Sequence, residues 1–179
     1  FTVDPAIVGG RVLLALAEED REEVHRRLWA VAQALRLTEA ECYLVTERLT
    51  VLALAGRPVA LVAPDGSGGV RETRALASLR GLLNEQTGWA LVAVDPLARW
   101  AGGGVEKDNE IATRYVQVIE SLCDAPGHPT ALTAHHSSKL ARRADEADTR
   151  GVTALSDGFR WEATLRETDG GVAFMQKKS

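Results

Sequence analysis

The sequence predicts an α/β protein: a mostly parallel sheet flanked by helices, with an antiparallel hairpin at its C-terminal end. Three observations carry this expectation. Short runs that are apolar on both faces recur at residues 12–17, 50–55, 89–94 and 129–134, as strands buried between helix layers do. Stretches with helical apolar spacing lie between them, and that alternation builds parallel sheets. Two shorter strand-like segments then face each other across an Asp169-Gly170-Gly171 turn.

Each element follows in order. Residues 12–17 (VLLALA) end abruptly at Glu18, Glu19 and Asp20. Asp20 suits a helix cap, and Glu22 and Glu23 suit the positive end of the helix behind it. Val24, Leu28, Val31 and Leu35 then recur at helical spacing, with Arg26 and Arg27 turned outward. The run at 50–55 stops at Gly56 and Pro58, and residues 64–69 (PDGSGG) are rich in turn formers. A helix carries Leu76, Leu79, Leu82 and Leu83; the strand at 89–94 (WALVAV) is closed by Asp95 and Pro96. After a Gly-rich loop at 101–104, a helix over 107–122 sets Ile111, Tyr115, Val118 and Leu122 on one face. Residues 129–134 read as a further buried strand running into His135, His136, Ser137, Ser138 and Lys139. The charged stretch to Arg150 has no apolar stripe and reads as a mobile loop, and strands at 159–164 and 172–175 form the hairpin.

Composition narrows the function classes. The 179 residues carry 25 acidic and 21 basic side chains, a formal charge of −4, with 45% apolar and 26% charged residues. That is ordinary globular composition, which excludes collagen-like, disulfide-scaffold and disordered chains, and its length suits one domain over residues 1–179. No apolar run reaches the ~18–20 residues of a membrane helix. Cys42 and Cys123 stand far apart without metal-ligand spacing, so a reducing cytoplasm is the simplest expected location. Mild acidity speaks against wholesale coating by nucleic acid but leaves room for a local basic patch.

In parallel sheets ligands bind beyond the carboxyl ends of the strands. Three strands here end in polar groups: Glu18-Glu19-Asp20, Asp95, and His135 to Lys139. An acid after a strand is often only a helix cap, yet three at one edge form a pattern. Four apolar residues followed by Asp95 fit a carboxylate that holds Mg²⁺ through water beside a nucleotide's phosphates. Glu18 on a neighbouring strand has the chemistry to orient and deprotonate an attacking water. Adjacent histidines at a strand end point to opposite faces and do not chelate one ion together. A histidine followed by Lys139 instead suits the recognition of phosphate by hydrogen bonds and charge.

Taken together, residues 17–28 (AEEDREEVHRRL), 91–103 (LVAVDPLARWAGG), 134–139 (AHHSSK) and 150–161 (RGVTALSDGFRW) resemble, in order and spacing, the RepA-type ATPases, RecA-like hexameric replicative helicases of plasmids and phages. The resemblance spans nearly the whole chain and implies a RecA-like fold, ATP and Mg²⁺ as cofactors, a homo-oligomeric ring and single-stranded DNA as partner. It implies roles as well: Glu18 as catalytic base, Asp95 as the magnesium-organising acid, His136 as γ-phosphate sensor, and Arg160 as a finger reaching a neighbouring subunit's nucleotide. His135 and Lys139 fall beside the phosphates. Lys139, Arg142, Arg143 and Arg150 fall on the central-channel DNA loop, although that segment's net charge of about +1 is weak evidence by itself.

One departure is large. No GxxxxGK[ST] phosphate loop occurs; Gly66-Ser67-Gly68-Gly69 has neither a following Lys-Ser/Thr nor the strand that should lead into it. In the resembled family that loop precedes the AEED strand, so the chain, which opens at Phe1, is expected to lack its first strand and phosphate loop. The competing account is a degenerate ATPase, which has no chemical need to keep Glu18, Asp95 and the HHSSK cluster. Two other functions stay open at this point: an accessory ATPase without unwinding activity, and a nucleotide-free assembly scaffold. Arg26, Arg27 and Arg99 read singly as solvated charges. Trp29, Trp89 and Trp161 read as packing residues, and Trp100, beside the Gly-rich loop, as the candidate base-stacking ring.

Overall fold

The computed structural model describes residues 9–105, 107–136 and 153–178. Its main sheet has four parallel strands in the order β2-β1-β5-β6: β1 (Arg11–Leu16), β2 (Leu49–Ala53), β5 (Trp89–Asp95) and β6 (Thr130–Thr133). Helices α1 (Arg21–Ala34), α2 (Glu39–Arg48), α3 (Arg74–Asn84), α4 (Leu97–Trp100) and α5 (Asn109–Leu122) connect and cover it. Two antiparallel pairs stand apart from this sheet, β3 (Val62–Pro64) with β4 (Val70–Glu72) and β7 (Glu162–Thr168) with β8 (Gly171–Lys178). A short helix α6 (Thr153–Gly158) precedes β7. The architecture is the expected α/β, RecA-like one.

Local chemistry explains the helix starts. The Asp20 carboxylate accepts the Glu23 N–H at 2.8 Å and opens α1. Thr38 and Glu41 form a reciprocal capping box that opens α2, a helix the apolar pattern did not reveal because none of its residues is buried. The Asp108 carboxylate accepts the N–H groups of Glu110 and Ile111, so α5 begins at Asn109 rather than at 107.

The core lies where α3 and α5 cover β1 and β5. Leu13, Ala15, Leu76, Leu83, Trp89, Val92, Val94, Ile111, Tyr115 and Leu122 are all buried in one cluster, and the lost water contact of such side chains is the main favourable term of folding. Glycine at position 10 is sterically required: a Cβ there would stand 2.3 Å from that of Ala90 on the neighbouring strand.

Five expectations are corrected. Strand β6 is not buried on both faces; it is the sheet's edge, and Leu132 is 44% exposed. The α1 stripe buries only Val24, while Val31 and Leu35 are exposed. Trp100 is no stacking platform: its ring is buried and its indole N–H donates to the Asp95 carbonyl at 3.2 Å. Trp89 packs as expected, donating to the Leu83 carbonyl, and Trp161, though partly exposed, stacks on Phe174 with ring centroids 5.9 Å apart, but Trp29 is exposed. The hairpin strands also run longer than their apolar centres, since β7 and β8 continue through polar residues paired across the ladder.

Candidate active site

The register of the parallel sheet brings three strand ends level. Leu16 pairs with Asp95 and Val94 with Thr133. Beyond the last pairs the ladder continues in single bonds, Ala17 N–H to the Asp95 carbonyl at 2.8 Å and Ala134 N–H to the Val94 carbonyl at 3.0 Å. Glu18 after β1, Asp95 ending β5 and His136 after β6 therefore gather at one carboxyl edge, where ligands of parallel sheets bind. His136 Nε2 lies 3.8 Å from Glu18 Oε2. His135 precedes it and is also exposed.

Glu19 does not turn away from this edge. Strand alternation ends at Leu16, and residues 17–18 form a bend, so the rule that neighbours face opposite sides no longer applies. The Glu18 side chain is 52% exposed, that of Glu19 only 18%. Arg27 Nη1 grips Glu19 Oε1 at 3.0 Å while Arg27 Nε holds Glu23 Oε1 at 2.5 Å. The other Glu19 oxygen, Oε2, is buried and accepts no hydrogen bond among the described residues.

Asp95 is half-buried. Burial first, then the nearby Glu19 carboxylate, push its carboxyl above the usual carboxylate range, and Glu18 adds to this; His136 and Arg27 pull the other way. Three carboxylates around one strand end, one with an orphaned buried oxygen, form an environment that a cation relieves. These residues fit a hydrated divalent cation held at Asp95. Among the described residues no group of three or more His, Cys, Asp or Glu has the geometry to chelate a metal directly, so the fit is to water-mediated binding completed by a ligand's own oxygens.

The glycine-rich turn at 66–69 is closed to phosphate. It caps the β3–β4 hairpin, and the N–H groups of Ser67 and Gly69 both point at the Asp65 carboxylate, at 2.8 and 3.0 Å. Those bonds hold the Asp65 carboxyl below its usual range.

Arg160 lies exposed between α6 and β7, and among the described residues it forms no ion pair with Asp157 or Glu162. Its segment is well anchored. Lys178 Nζ donates to the Ser156 and Asp157 carbonyls at 2.9 and 3.0 Å, tying the hairpin to α6. Gly158 lets α6 approach α5, for a Cβ there would meet Val116 at 2.7 Å. Lys139, Arg142, Arg143 and Arg150 lie outside the described residues.

Residues 2–142 match the family of the AAA domain. The chain belongs to the AAA domain family. Membership makes it a P-loop-type, nucleotide-hydrolysing ATPase domain by class, and the strand edge bearing Glu18, Asp95 and His136 lies within the matched residues. No curated protein matches the chain. Among the described residues of this AAA domain no helix is long and apolar enough to cross a membrane. Arg27 and Glu19 are the site residues that single-residue reading overlooked. Part of the signal was present in the chain: Arg27 stands four residues after Glu23, a spacing that pairs them on one helix face, whereas its bond to Glu19, which precedes α1, carries no such signal.

Proposed function

We propose that this AAA domain is the Mg²⁺-dependent, ATP-hydrolysing motor domain of a RepA-type replicative helicase that acts in the cytoplasm as a homo-oligomeric ring, expected to be hexameric, on single-stranded DNA. The observation that carries the proposal is the convergence of Glu18, Asp95 and His136 at one sheet edge, with Glu18 and His136 3.8 Å apart across the end of β5.

Bound Mg·ATP supplies the electrophilic γ-phosphoryl group and its charge-neutralising cation. Asp95 holds that cation through water. Glu18, the more exposed carboxylate of its pair, accepts the proton of the attacking water. His136 donates a hydrogen bond to a γ-phosphate oxygen and so registers its presence, with His135 and Lys139 alongside. Arg160, exposed and without an ion pair among the described residues, is free to reach a neighbouring subunit's nucleotide. Lys139, Arg142, Arg143 and Arg150 contact the DNA backbone.

Steady-state ATP hydrolysis by the intact protein, with and without single-stranded DNA and Mg²⁺, tests this reading. The expected result is Mg²⁺-dependent turnover that single-stranded DNA stimulates. Turnover that DNA leaves unchanged would instead support an accessory ATPase, and no turnover at all a scaffold.

A further inference from the structure

We propose that Arg27 is a positioning residue for this site: its two-point grip on Glu19 and Glu23 fixes the second Glu19 oxygen beside Asp95, where it accepts a hydrogen bond from a water of the cation held there. The proposal rests on the reading of Asp95 as the cation-organising acid.

Glu18 and Glu19 are neighbours in sequence and opposites in setting. Glu18 is exposed and, among the described residues, forms its ion pair with His136, at 3.8 Å. Glu19 is mostly buried, and one of its oxygens is taken by Arg27 at 3.0 Å while the other has no hydrogen-bond partner among the described residues. An ionised oxygen buried without a partner is costly, and a site where a ligand's water completes it accounts for its placement. Arg27 is itself held, since its Nε bonds Glu23 one turn earlier on α1. The planar guanidinium therefore spans two carboxylates at once, which a lysine ammonium does not reproduce. Glu19 leaves β1 two residues after Ala17, whose N–H bonds the Asp95 carbonyl at 2.8 Å, and its charge raises the Asp95 carboxyl more than that of Glu18 does. Partners in a metal's outer shell orient the inner ligands in this way.

Positioning and plain electrostatics make opposite predictions. If Arg27 acted only through its charge, its removal would leave the edge more negative and a divalent cation would bind more tightly. If it positions Glu19, its removal weakens binding, because losing an outer-shell partner typically costs about 10–100-fold in metal affinity.

The test is titration of the intact protein with Mn²⁺ alone, followed by the electron paramagnetic resonance signal of the free ion. Thermal melting of each variant verifies the fold. Expected are Mn²⁺ binding by the wild type, its loss in Asp95→Asn, and binding weakened about tenfold in both Arg27→Gln and Glu19→Gln. Arg27→Lys keeps the charge and should still bind more weakly than the wild type. Arg26→Gln is the control, since Arg26 pairs with Glu23 and not with Glu19, and should bind as the wild type does. Unchanged or tighter binding by Arg27→Gln overturns the positioning role and leaves the Asp95 reading standing. No binding by the wild type, or full binding by Asp95→Asn, overturns the Asp95 reading and this proposal with it.

Discussion

Glu18 Oε2 and His136 Nε2 stand 3.8 Å apart although one follows β1 and the other β6, the two strands that flank β5. The pair closes over the end of the strand that carries Asp95. On the proposed reading, a water hydrogen-bonded to both carboxylate and imidazole would lie at the end of the strand that Asp95 closes, where proton abstraction beside a phosphate would take place.

Replacing Glu18 by Gln should therefore slow ATP turnover about 10²–10⁴-fold while sparing nucleotide binding, because a general base acts only in the chemical step. Single-turnover kinetics beside equilibrium nucleotide binding separates the two. Glu19→Gln should act differently and weaken the cation dependence. If Glu19→Gln loses turnover and Glu18→Gln keeps it, the base assignment is displaced by one residue.

Asp95 makes a prediction about stability. Burial and the flanking carboxylates raise its carboxyl above the ordinary range, so ionising it is harder in the folded than in the unfolded protein. A raised acid contributes stability below its unfolded pKa and loses it as pH rises through the folded one. Asp95→Asn, which never ionises, should melt at a higher temperature than the wild type at neutral pH. The difference should shrink in acid, below the ordinary carboxylate range, where Asp95 is protonated in both the folded and the unfolded protein. Melting curves at both pH values decide this; a less stable Asp95→Asn at neutral pH would contradict it.

The sheet was legible in the sequence because burial between helix layers writes itself as uninterrupted apolar runs, as at β1 and β5, while β2 and β6 at the two ends of the strand order carry Thr-interrupted runs and are less buried. The site edge was legible for a related reason: acids and histidines directly after such runs can only fall at the strands' carboxyl ends. What escaped the pattern was held by polar local bonds instead of burial. Helix α2 rests on the Thr38–Glu41 capping box, and the β3–β4 turn on the Asp65 bonds to Ser67 and Gly69. The inward turn of Glu19 depends on a bend after Leu16 that residue types do not encode, and on Arg27 from another element. Trp100 was misread because a ring next to a glycine loop carries no sign of whether it faces in or out.

The tryptophans give a direct check on that last point. Trp29 is 61% exposed, and Trp29→Phe should change stability by no more than about 0.5 kcal/mol. Trp100→Phe removes a buried hydrogen bond to the Asp95 carbonyl and leaves a cavity, at a cost of about 1–3 kcal/mol. Urea denaturation of the two variants compares them, and equal midpoints would refute the burial of Trp100.

A part-buried hydroxyl pair ties β6 to α5. Tyr115 on α5, fully buried, lies 2.8 Å from the Thr133 hydroxyl at the end of β6, and burial pushes its phenol above the usual range. Tyr115→Phe should cost about 0.5–1.5 kcal/mol in urea denaturation. His136 follows Thr133 by three residues, so the loss should also loosen the end of β6, seen as faster amide exchange at Ala134.

Arg160 carries the most exposed prediction. The chain anchors its backbone from both sides, through Lys178 on the Ser156 and Asp157 carbonyls and through the close approach of Gly158 to α5. Its side chain nevertheless forms no ion pair with Asp157 or Glu162 among the described residues. A local surface pair, worth only about 0–1 kcal/mol, therefore does not account for it. As a finger acting on a neighbour's nucleotide it should contribute about 10³–10⁵ in rate. Rings made only of Arg160→Ala subunits, or only of Glu18→Gln subunits, should be inactive. Mixed rings should regain hydrolysis at interfaces that pair an intact Glu18 with a neighbour's intact Arg160. Turnover measured across a series of mixing ratios should pass through a maximum at intermediate composition. A monotonic decline, or normal hydrolysis by Arg160→Ala rings alone, would rule out the action in trans while leaving the Glu18, Asp95 and His136 edge untouched.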